Sequence, residues 1–299
     1  MTDATQCRLR GERLTLGYAG TDVLTAVDVS IPDGRITALI GANGSGKSTL
    51  LKALGRIIQP SAGAVYLDGK QISRTPGKVV AQTLALLPQS PISPDGLTVR
   101  QLCRFGRHPH KAMLARPSRH DENVVEAALA ATGLSDLSER PLDRLSGGQR
   151  QRAWIAMALA QETPILLLDE PTTYLDIAHQ LEILELLRAL NRQRRRTIVL
   201  VVHDLNHAAQ YADHLIAVVD GRIHAAGSPS TLLTPSLIRS VFGIDAVVMP
   251  HPLDGTPLCL PSVSTTTKYT VISRRGRSSM RRSRAEPLAG SGNWARRIV

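Results

Sequence analysis

The chain has 299 residues, enough for about two domains or for one large domain with an appendage. Hydrophobic residues make up 42% and charged residues 20%, so the composition favours a substantial core and excludes wholesale disorder. Its longest apolar run, Ala153 to Ala160, is far shorter than the ~20 residues that span a bilayer, and the N-terminal residues lack the apolar segment of a signal peptide. We therefore expect a chain that stays in the cytosol.

The net charge of +11 is concentrated at the C-terminus. Residues 262–299 hold nine Lys or Arg against one acidic residue, whereas all other residues together carry a net charge of only +3. Only 3% of the chain is aromatic, which leaves few side chains that could stack on bases. The sequence therefore predicts no nucleic-acid partner for the folded part, and it predicts a basic, disordered tail over 262–299.

Strand and helix patterns alternate along the rest of the chain, which is typical of an α/β core. Strands are predicted over 23–31, 35–40, 64–68, 165–168 and 197–202, and a hairpin over 214–219 and 222–226. Helices are predicted over 47–58, 98–107, 121–132, 148–161 and 177–193. The stretch 165–168 is uniformly apolar, as in a parallel strand buried on both faces, and 90–145 is predicted as a mostly helical insertion between two core strands.

A glycine-rich loop lies between the second strand and the first helix. It matches G-x-x-x-x-G-K-[ST] and consists of Gly41, Ala42, Asn43, Gly44, Ser45, Gly46, Lys47, Ser48 and Thr49. Its backbone N–H groups and the helix N-terminus are suited to holding a phosphate. The pattern predicts that Lys47 reaches the β- and γ-phosphates of a nucleotide and that Ser48 binds Mg²⁺; the alternative is a chance glycine turn.

Two carboxylates follow the buried strand 165–168. Asp169 is placed to make a second Mg²⁺ contact, and Glu170 to orient or deprotonate a water molecule. The alternative is a polar strand end without a function.

A second loop of small residues stands at the head of the helix 148–161. It follows Leu145 and comprises Ser146, Gly147, Gly148 and Gln149, again an arrangement that suits an anion. Because Lys47 already serves the one γ-phosphate of a bound nucleotide, we expect this loop to serve the nucleotide of another copy of the chain.

Leu145-Ser146-Gly147-Gly148-Gln149 is similar to the signature motif of the ATP-binding-cassette (ABC) ATPases, and its order with the other two motifs agrees. The resemblance covers residues 8–261. It implies an α/β fold of the P-loop NTPase ABC type, with a RecA-like core, an antiparallel β subdomain and a helical subdomain inserted at about 90–160. It also implies ATP and Mg²⁺ as cofactors.

The same resemblance implies roles for further single residues. Tyr18 resembles the aromatic residue that stacks on adenine, although a strand core position is the alternative. Gln89 resembles the glutamine that touches Mg²⁺ and faces a transmembrane partner. Asp176 resembles the aspartate that crosses to the other subunit, and His203 the histidine on the γ-phosphate.

Finer matches favour the importers of ferric siderophores, haem or cobalamin, and ferric siderophores above all. They are 171–176, 106–110, 152–161 and 257–259; Thr173-Tyr174 departs from the Ser-Ala of many cassettes. The implied protein is a homodimeric ATPase at the cytoplasmic face of the inner membrane. It would act beneath transmembrane permease subunits that an extracytoplasmic substrate-binding protein supplies. The alternatives are a haem or cobalamin importer, an exporter cassette, and a soluble non-transport ABC ATPase.

Overall fold

The computed structural model describes residues 7–89, 91, 96–111, 116–173 and 175–262. Tyr174 and, beyond Ser262, the predicted basic tail lie outside the described residues. Within them, no helix has both the length and the apolar character of a membrane span.

The strands form a four-stranded antiparallel sheet, a six-stranded mostly parallel sheet and a two-stranded hairpin. In chain order they are β1 (Leu9–Tyr18), β2 (Thr21–Ile31), β3 (Ile36–Ile40), β4 (Ala62–Leu67), β5 (Lys70–Gln71), β6 (Leu84–Leu87), β7 (Ile165–Leu168), β8 (Thr197–Val201), β9 (His214–Val219), β10 (Arg222–Gly227), β11 (Asp245–Pro250) and β12 (Pro257–Ser262). The antiparallel sheet has the order β2-β1-β4-β5, and the larger sheet β10-β9-β3-β8-β7-β6.

The α-helices lie between these strands. They are α1 (Lys47–Leu54), α2 (Gly77–Thr83), α3 (Val99–Phe105), α4 (Arg119–Ala131), α5 (Gly147–Ala160), α6 (Ile177–Arg194), α7 (Leu205–Tyr211), α8 (Pro229–Leu232) and α9 (Pro235–Phe242). The predicted helices and strands therefore exist, and the hairpin of β9 and β10 forms as predicted.

Two predicted helix ends are wrong. The helix predicted over 47–58 ends at Leu54, because Gly55 caps it and Arg56 takes a left-handed backbone conformation with φ 62°. The helix predicted over 98–107 ends at Phe105 and is followed by a short 3-10 turn, His108–His110.

The six-stranded sheet is covered on both faces. Every residue of β3, β7 and β8 is buried, as expected for parallel strands inside an α/β protein. Residues of β3 alternate between two apolar clusters: Leu39 packs with α1 and the antiparallel sheet, and Ala38 and Ile40 pack with the helices of the other face. This arrangement holds the ends of the parallel strands rigidly, and those ends carry the polar residues of the candidate site.

The helical segment lies between β6 and β7, which are parallel neighbours in the sheet. It contains α3, α4 and α5, whose apolar residues join one core cluster with the sheet. The placement agrees with an insertion between two core strands. The boundaries 90–160 for a helical subdomain, and 8–261 for the whole cassette, stay predictions.

Candidate functional site

Polar residues follow the carboxyl ends of four parallel strands that are neighbours in the order β3, β8, β7, β6. The phosphate loop, residues 41–49, follows β3; His203 follows β8; Asp169 and Glu170 follow β7; Gln89 follows β6. Parallel strands end at the same edge of a sheet, which is where open α/β proteins bind ligands. The register pairs Leu39 with Val201 and Leu87 with Leu168, so these four segments leave the sheet at one level.

The backbone of the phosphate loop depends on its glycines. Gly41 has φ 151°, and a Cβ atom there would lie 2.2 Å from the carbonyl oxygen of Val218. Gly46 has φ 105° and precedes α1, whose N-terminus has no side-chain cap. The free N–H groups of that first turn therefore remain available to an anion.

Lys47 is a buried cation at this loop, with only 5% of its surface exposed. Its Nζ donates hydrogen bonds to the carbonyl oxygens of Gly41 (2.9 Å) and Ala42 (2.8 Å). Burial lowers its pKa, and the negative charges of Glu170 and Asp169 oppose that shift. The ammonium group is thus held by the backbone that would surround a phosphate, within range of the negative charges of Glu170 and Asp169.

Asp169 and Ser48 form the second part of the site. The Ser48 hydroxyl donates a 2.6 Å hydrogen bond to Oδ1 of Asp169, which is 1% exposed. Its other oxygen, Oδ2, is buried without a hydrogen-bond donor in the described part of the chain; the nearest cation is Lys52 Nζ at 3.9 Å. Burial raises the pKa of this carboxyl, and the Ser48 hydrogen bond opposes the rise. A buried carboxylate oxygen of this kind suits a divalent cation.

Glu170 is held by three side chains. Its Oε2 accepts hydrogen bonds from Gln89 Nε2 at 2.6 Å and from Thr173 Oγ1 at 3.0 Å, while its Oε1 lies 2.7 Å from His203 Nε2. The Glu170 backbone is left-handed with φ 53°, an uncommon conformation for a residue with a side chain. Residues held in such sparsely populated conformations are frequent at functional sites.

The loop Ser146–Gln149 has a different environment. Ser146 caps α5: its Oγ accepts from the Gln149 N–H, and its own N–H donates to Gln149 Oε1. A Cβ atom at Gly147 would meet no atom within 4 Å, whereas one at Gly148 would lie 3.1 Å from the His179 ring. The loop is therefore open to solvent on one side and packed against α6 on the other.

Asp176 caps the N-terminus of α6. Its Oδ1 accepts from the His179 N–H (2.9 Å) and lies 2.7 Å from His179 Nδ1. The hydrogen bonds from His179 hold the pKa of this exposed carboxyl below its usual value.

Tyr18 lies at the end of β1 with half of its side chain exposed. The alternative of a strand core aromatic is therefore wrong, and a free ring face is compatible with stacking.

The structure brings the phosphate loop, Gln89, Asp169, Glu170 and His203 together. Within the described residues, no hydrogen bond or ion pair joins the loop Ser146–Gln149 or Asp176 to that group. Sequence reasoning missed Thr173 as a partner of Glu170 and His179 as the contact between Gly148 and Asp176. The position of His179, three residues after a helix-capping Asp, was the available signal.

A parallel sheet with a phosphate loop, a buried lysine and paired carboxylates at its carboxyl edge defines a P-loop NTPase. Residues 24–173 match the ABC transporter family, and curated relatives extend the match over most of the chain. The chain belongs to the ABC transporter ATP-binding proteins, and it has their cassette fold and ATPase activity.

Two relatives illustrate which members of the family this chain is similar to. The "Probable siderophore transport system ATP-binding protein YusV" of Bacillus subtilis is 54% identical over 250 residues, 84% of this chain and 91% of that protein. The ferric enterobactin transport ATP-binding protein FepC of Escherichia coli is 50% identical over 254 residues, 85% and 94%.

Two solved structures share the fold. One is an inward-facing ABC transporter described as of the metal-chelate type, with a TM-score of 0.74, 29% identity, and coverage of 86% of this chain and 98% of that one. The other is the dimeric ATP-binding cassette MJ0796 bound to ADP and Pi, with a TM-score of 0.66, 28% identity, and coverage of 74% and 98%.

Proposed function

We propose that this chain is the ATP-hydrolysing subunit of a bacterial importer that takes ferric siderophores across the cytoplasmic membrane. One observation carries the hydrolytic part: Glu170 is fixed between Gln89 and His203, beside Lys47 and Asp169. The substrate class is supported by relatives named for siderophore transport at 50–54% identity, compared with 41% for a cobalamin import protein of Halobacterium salinarum.

The residues fit Mg²⁺ together with ATP. Asp169 offers the unpartnered Oδ2, Ser48 a hydroxyl, and Gln89 an amide oxygen, and Mg²⁺ prefers oxygen ligands. When bound, Mg²⁺ would neutralise charge that develops on the β- and γ-phosphates. Lys47 and the N–H groups of the loop 41–49 would hold the phosphates, and Tyr18 would stack on the adenine.

Glu170 is the proposed base. Its carboxylate would take a proton from the attacking water, while the Gln89 and His203 contacts fix the direction of its oxygens. His203 is half exposed and, in this proposal, also donates to the γ-phosphate. Attack then breaks the bond between the γ-phosphorus and the bridging oxygen and gives ADP and phosphate.

The active unit is proposed to be a homodimer. Within the described residues, no hydrogen bond joins Ser146, Gly147, Gly148 or Gln149 to the chain's own phosphate loop, and the space around Gly147 is open. A second copy could therefore place its nucleotide there, with Asp176 of each chain reaching towards the other copy. The dimeric state of the MJ0796 cassette supports this proposal.

The homodimer would act at the cytoplasmic face of the inner membrane, bound to transmembrane permease subunits. An extracytoplasmic binding protein would deliver the chelate to the permease. Gln89, which touches Glu170 from the end of β6, is the proposed link between the permease and hydrolysis.

Uptake of ⁵⁵Fe-loaded siderophores by a deletion strain tests the substrate class. We expect the wild-type gene to restore ⁵⁵Fe uptake and the Lys47→Ala gene, expressed equally, to leave it at background. Restored uptake of cobalamin or haem with no ⁵⁵Fe uptake would establish the alternative importer. ATPase activity without any restored uptake would favour a non-transport ABC ATPase.

A further inference from the structure

His179 connects two motifs that lie far apart in the sequence. Its imidazole Nδ1 is 2.7 Å from Asp176 Oδ1, and the same ring lies against Gly148, where an added Cβ would be 3.1 Å from Cδ2 and 3.2 Å from Cγ. One side chain thus touches the aspartate that caps α6 and the loop that begins α5.

The connection is specific in its geometry. The His179 N–H and ring nitrogen both bind the same oxygen of Asp176, so the ring cannot turn without losing a hydrogen bond. Gly148 is the residue whose lack of a side chain admits the ring at this distance. A second contact, Arg152 to Glu182 at 3.5 Å, joins the same two helices further along but touches neither motif.

We propose that His179 is a positioning residue that makes Asp176 and the Ser146–Gln149 loop of one chain move as a unit. The proposal rests on the proposed homodimer, in which both elements serve the nucleotide held by the other copy. If Asp176 and the Ser146–Gln149 loop keep a fixed relative position, both reach the nucleotide of the other copy together. ATP would then close the dimer in one step. Loosening the link would leave ATP binding by each chain intact and slow the closure that hydrolysis needs.

Two variants of the full chain each break one half of the link. His179→Phe keeps a ring against Gly148 and removes the donor to Asp176; His179→Asn keeps a donor and removes the ring. We expect each to lower kcat about tenfold, the scale of one charge-assisted hydrogen bond, with KM for MgATP changed less than about twofold. Glu182→Ala, which breaks only the other contact between α5 and α6, is the matched control and should keep kcat within about twofold.

A double-mutant cycle tests whether His179 acts through Asp176. We expect Asp176→Ala combined with His179→Phe to be no slower than Asp176→Ala alone, because the shared contact can be lost only once. Fully multiplicative effects, or wild-type kcat in either His179 variant, would overturn the proposal. So would an equal loss in Glu182→Ala, because helix packing in general would then explain it.

The ATP-dependent dimer separates this proposal from the one on which it rests. In the Glu170→Gln background, sedimentation with MgATP should show a dimer that either His179 change weakens about tenfold. A dimer of unchanged affinity would refute the role of His179 and leave the proposed function standing. Absence of any dimer with His179 intact would refute both.

Discussion

Gln89 Nε2 donates a 2.6 Å hydrogen bond to Glu170 Oε2, which joins the ends of two neighbouring parallel strands. With His203 2.7 Å from the other carboxylate oxygen, three consecutive strands of the sheet converge on one acidic group. A displacement of Gln89 would therefore remove one hydrogen bond from the proposed base, which is the contact on which the proposed role of Gln89 rests.

Replacing Glu170 with Gln should slow hydrolysis by about 10²–10⁴, the usual contribution of a positioned base, and leave ATP binding intact. The amide keeps the size of the side chain but cannot accept the proton. Steady-state ATPase assays and nucleotide titration measure the two effects. A rate within about threefold of wild type would contradict the role of Glu170 as base.

Lys47→Ala should weaken ATP binding by roughly 1.5–3 kcal/mol, because it removes a charged hydrogen-bond donor from the phosphates. Turnover should fall together with binding. Isothermal titration with MgATP checks the first effect and an ATPase assay the second. Lys70→Ala is a suitable control, since Lys70 is an exposed lysine of β5 in the antiparallel sheet. Normal turnover in the Lys47 variant would exclude its assigned contact.

Ser146→Arg should abolish turnover without impairing the binding of nucleotide by the same chain. The loop is proposed to serve the other copy, so the added guanidinium would block closure rather than binding. Mixing this variant with Lys47→Ala should restore ATPase activity, because each mixed dimer has one site with both Lys47 and Ser146 intact. ATPase assays at varied ratios of the two variants measure this. Normal hydrolysis by the Ser146 variant alone would contradict the two-chain site.

Arg107→Met should lower the free energy of unfolding by about 3–5 kcal/mol, the cost of leaving the buried carboxylate of Asp121 without its partner. Arg107 is 2% exposed and donates to Asp121 at 2.9 Å, Glu162 at 2.8 Å and the Ala160 carbonyl at 2.7 Å. Arg104→Met is the control, because the side chains of the Arg104–Glu122 pair are 41% and 34% exposed and the pair should contribute at most about 1 kcal/mol. Equal urea midpoints for the two variants would refute this difference.

The ion pair between Arg107 and Asp121 also predicts how the stability of the fold depends on pH. Burial alone would raise the pKa of Asp121, but hydrogen bonds from Ser118 and Arg107 outweigh it and hold that pKa well below its usual range. A lowered carboxyl pKa stabilises the fold at pH values above the unfolded value of about 3.9, and the contribution is lost as pH falls below it. The stability difference between wild type and Asp121→Asn should therefore shrink in acid; a difference that grows would contradict the assignment.

Removal of residues 263–299 should leave ATPase activity unchanged, because the proposed cassette ends near residue 261. Nine Lys or Arg against one acidic residue in 262–299 suit an anionic lipid surface, where each contributes about 1 kcal/mol. Vesicle sedimentation with and without anionic lipid compares the full and shortened chains. Lower ATPase activity would refute dispensability, and equal vesicle binding would refute the lipid role.

Local patterns were sufficient for much of the core. The uniform apolar run Ile165–Leu168 is a strand as predicted, and the glycine loop opens a helix at Lys47. They were insufficient where a strand lacks regular alternation of buried and exposed residues. The pairing of β1 with β2 shifts register between Gly11 and Leu14, and β1 was not predicted. Arg107 was placed in a helix, but it is a buried cation in a turn, fixed by acids from distant segments.

The site shows the same division. The phosphate loop, Asp169 and Glu170 were found by pattern, and Gln89 and His203 by the family resemblance. The contacts of Thr173 with Glu170 and of His179 with Gly148 exist only in the folded chain. Thr173 reaches Glu170 because the chain turns back after β7. His179 meets Gly148 because the first turn of α6 approaches the first turn of α5, and no local pattern encodes that approach.

The position of β3 between β8 and β9 also limits when the sheet can fold during synthesis of the chain. Ile36 pairs with Ile198 and Thr37 with His214. The strand that precedes the phosphate loop can therefore pair with its two neighbours only after both have been synthesised. Contacts between such distant segments form slowly, because a long loop must close first. A nascent chain released before Thr197 would hold the complete glycine motif but neither of the strands that flank β3. We therefore expect ATP to stabilise the fold only in chains that already include β8 and β9.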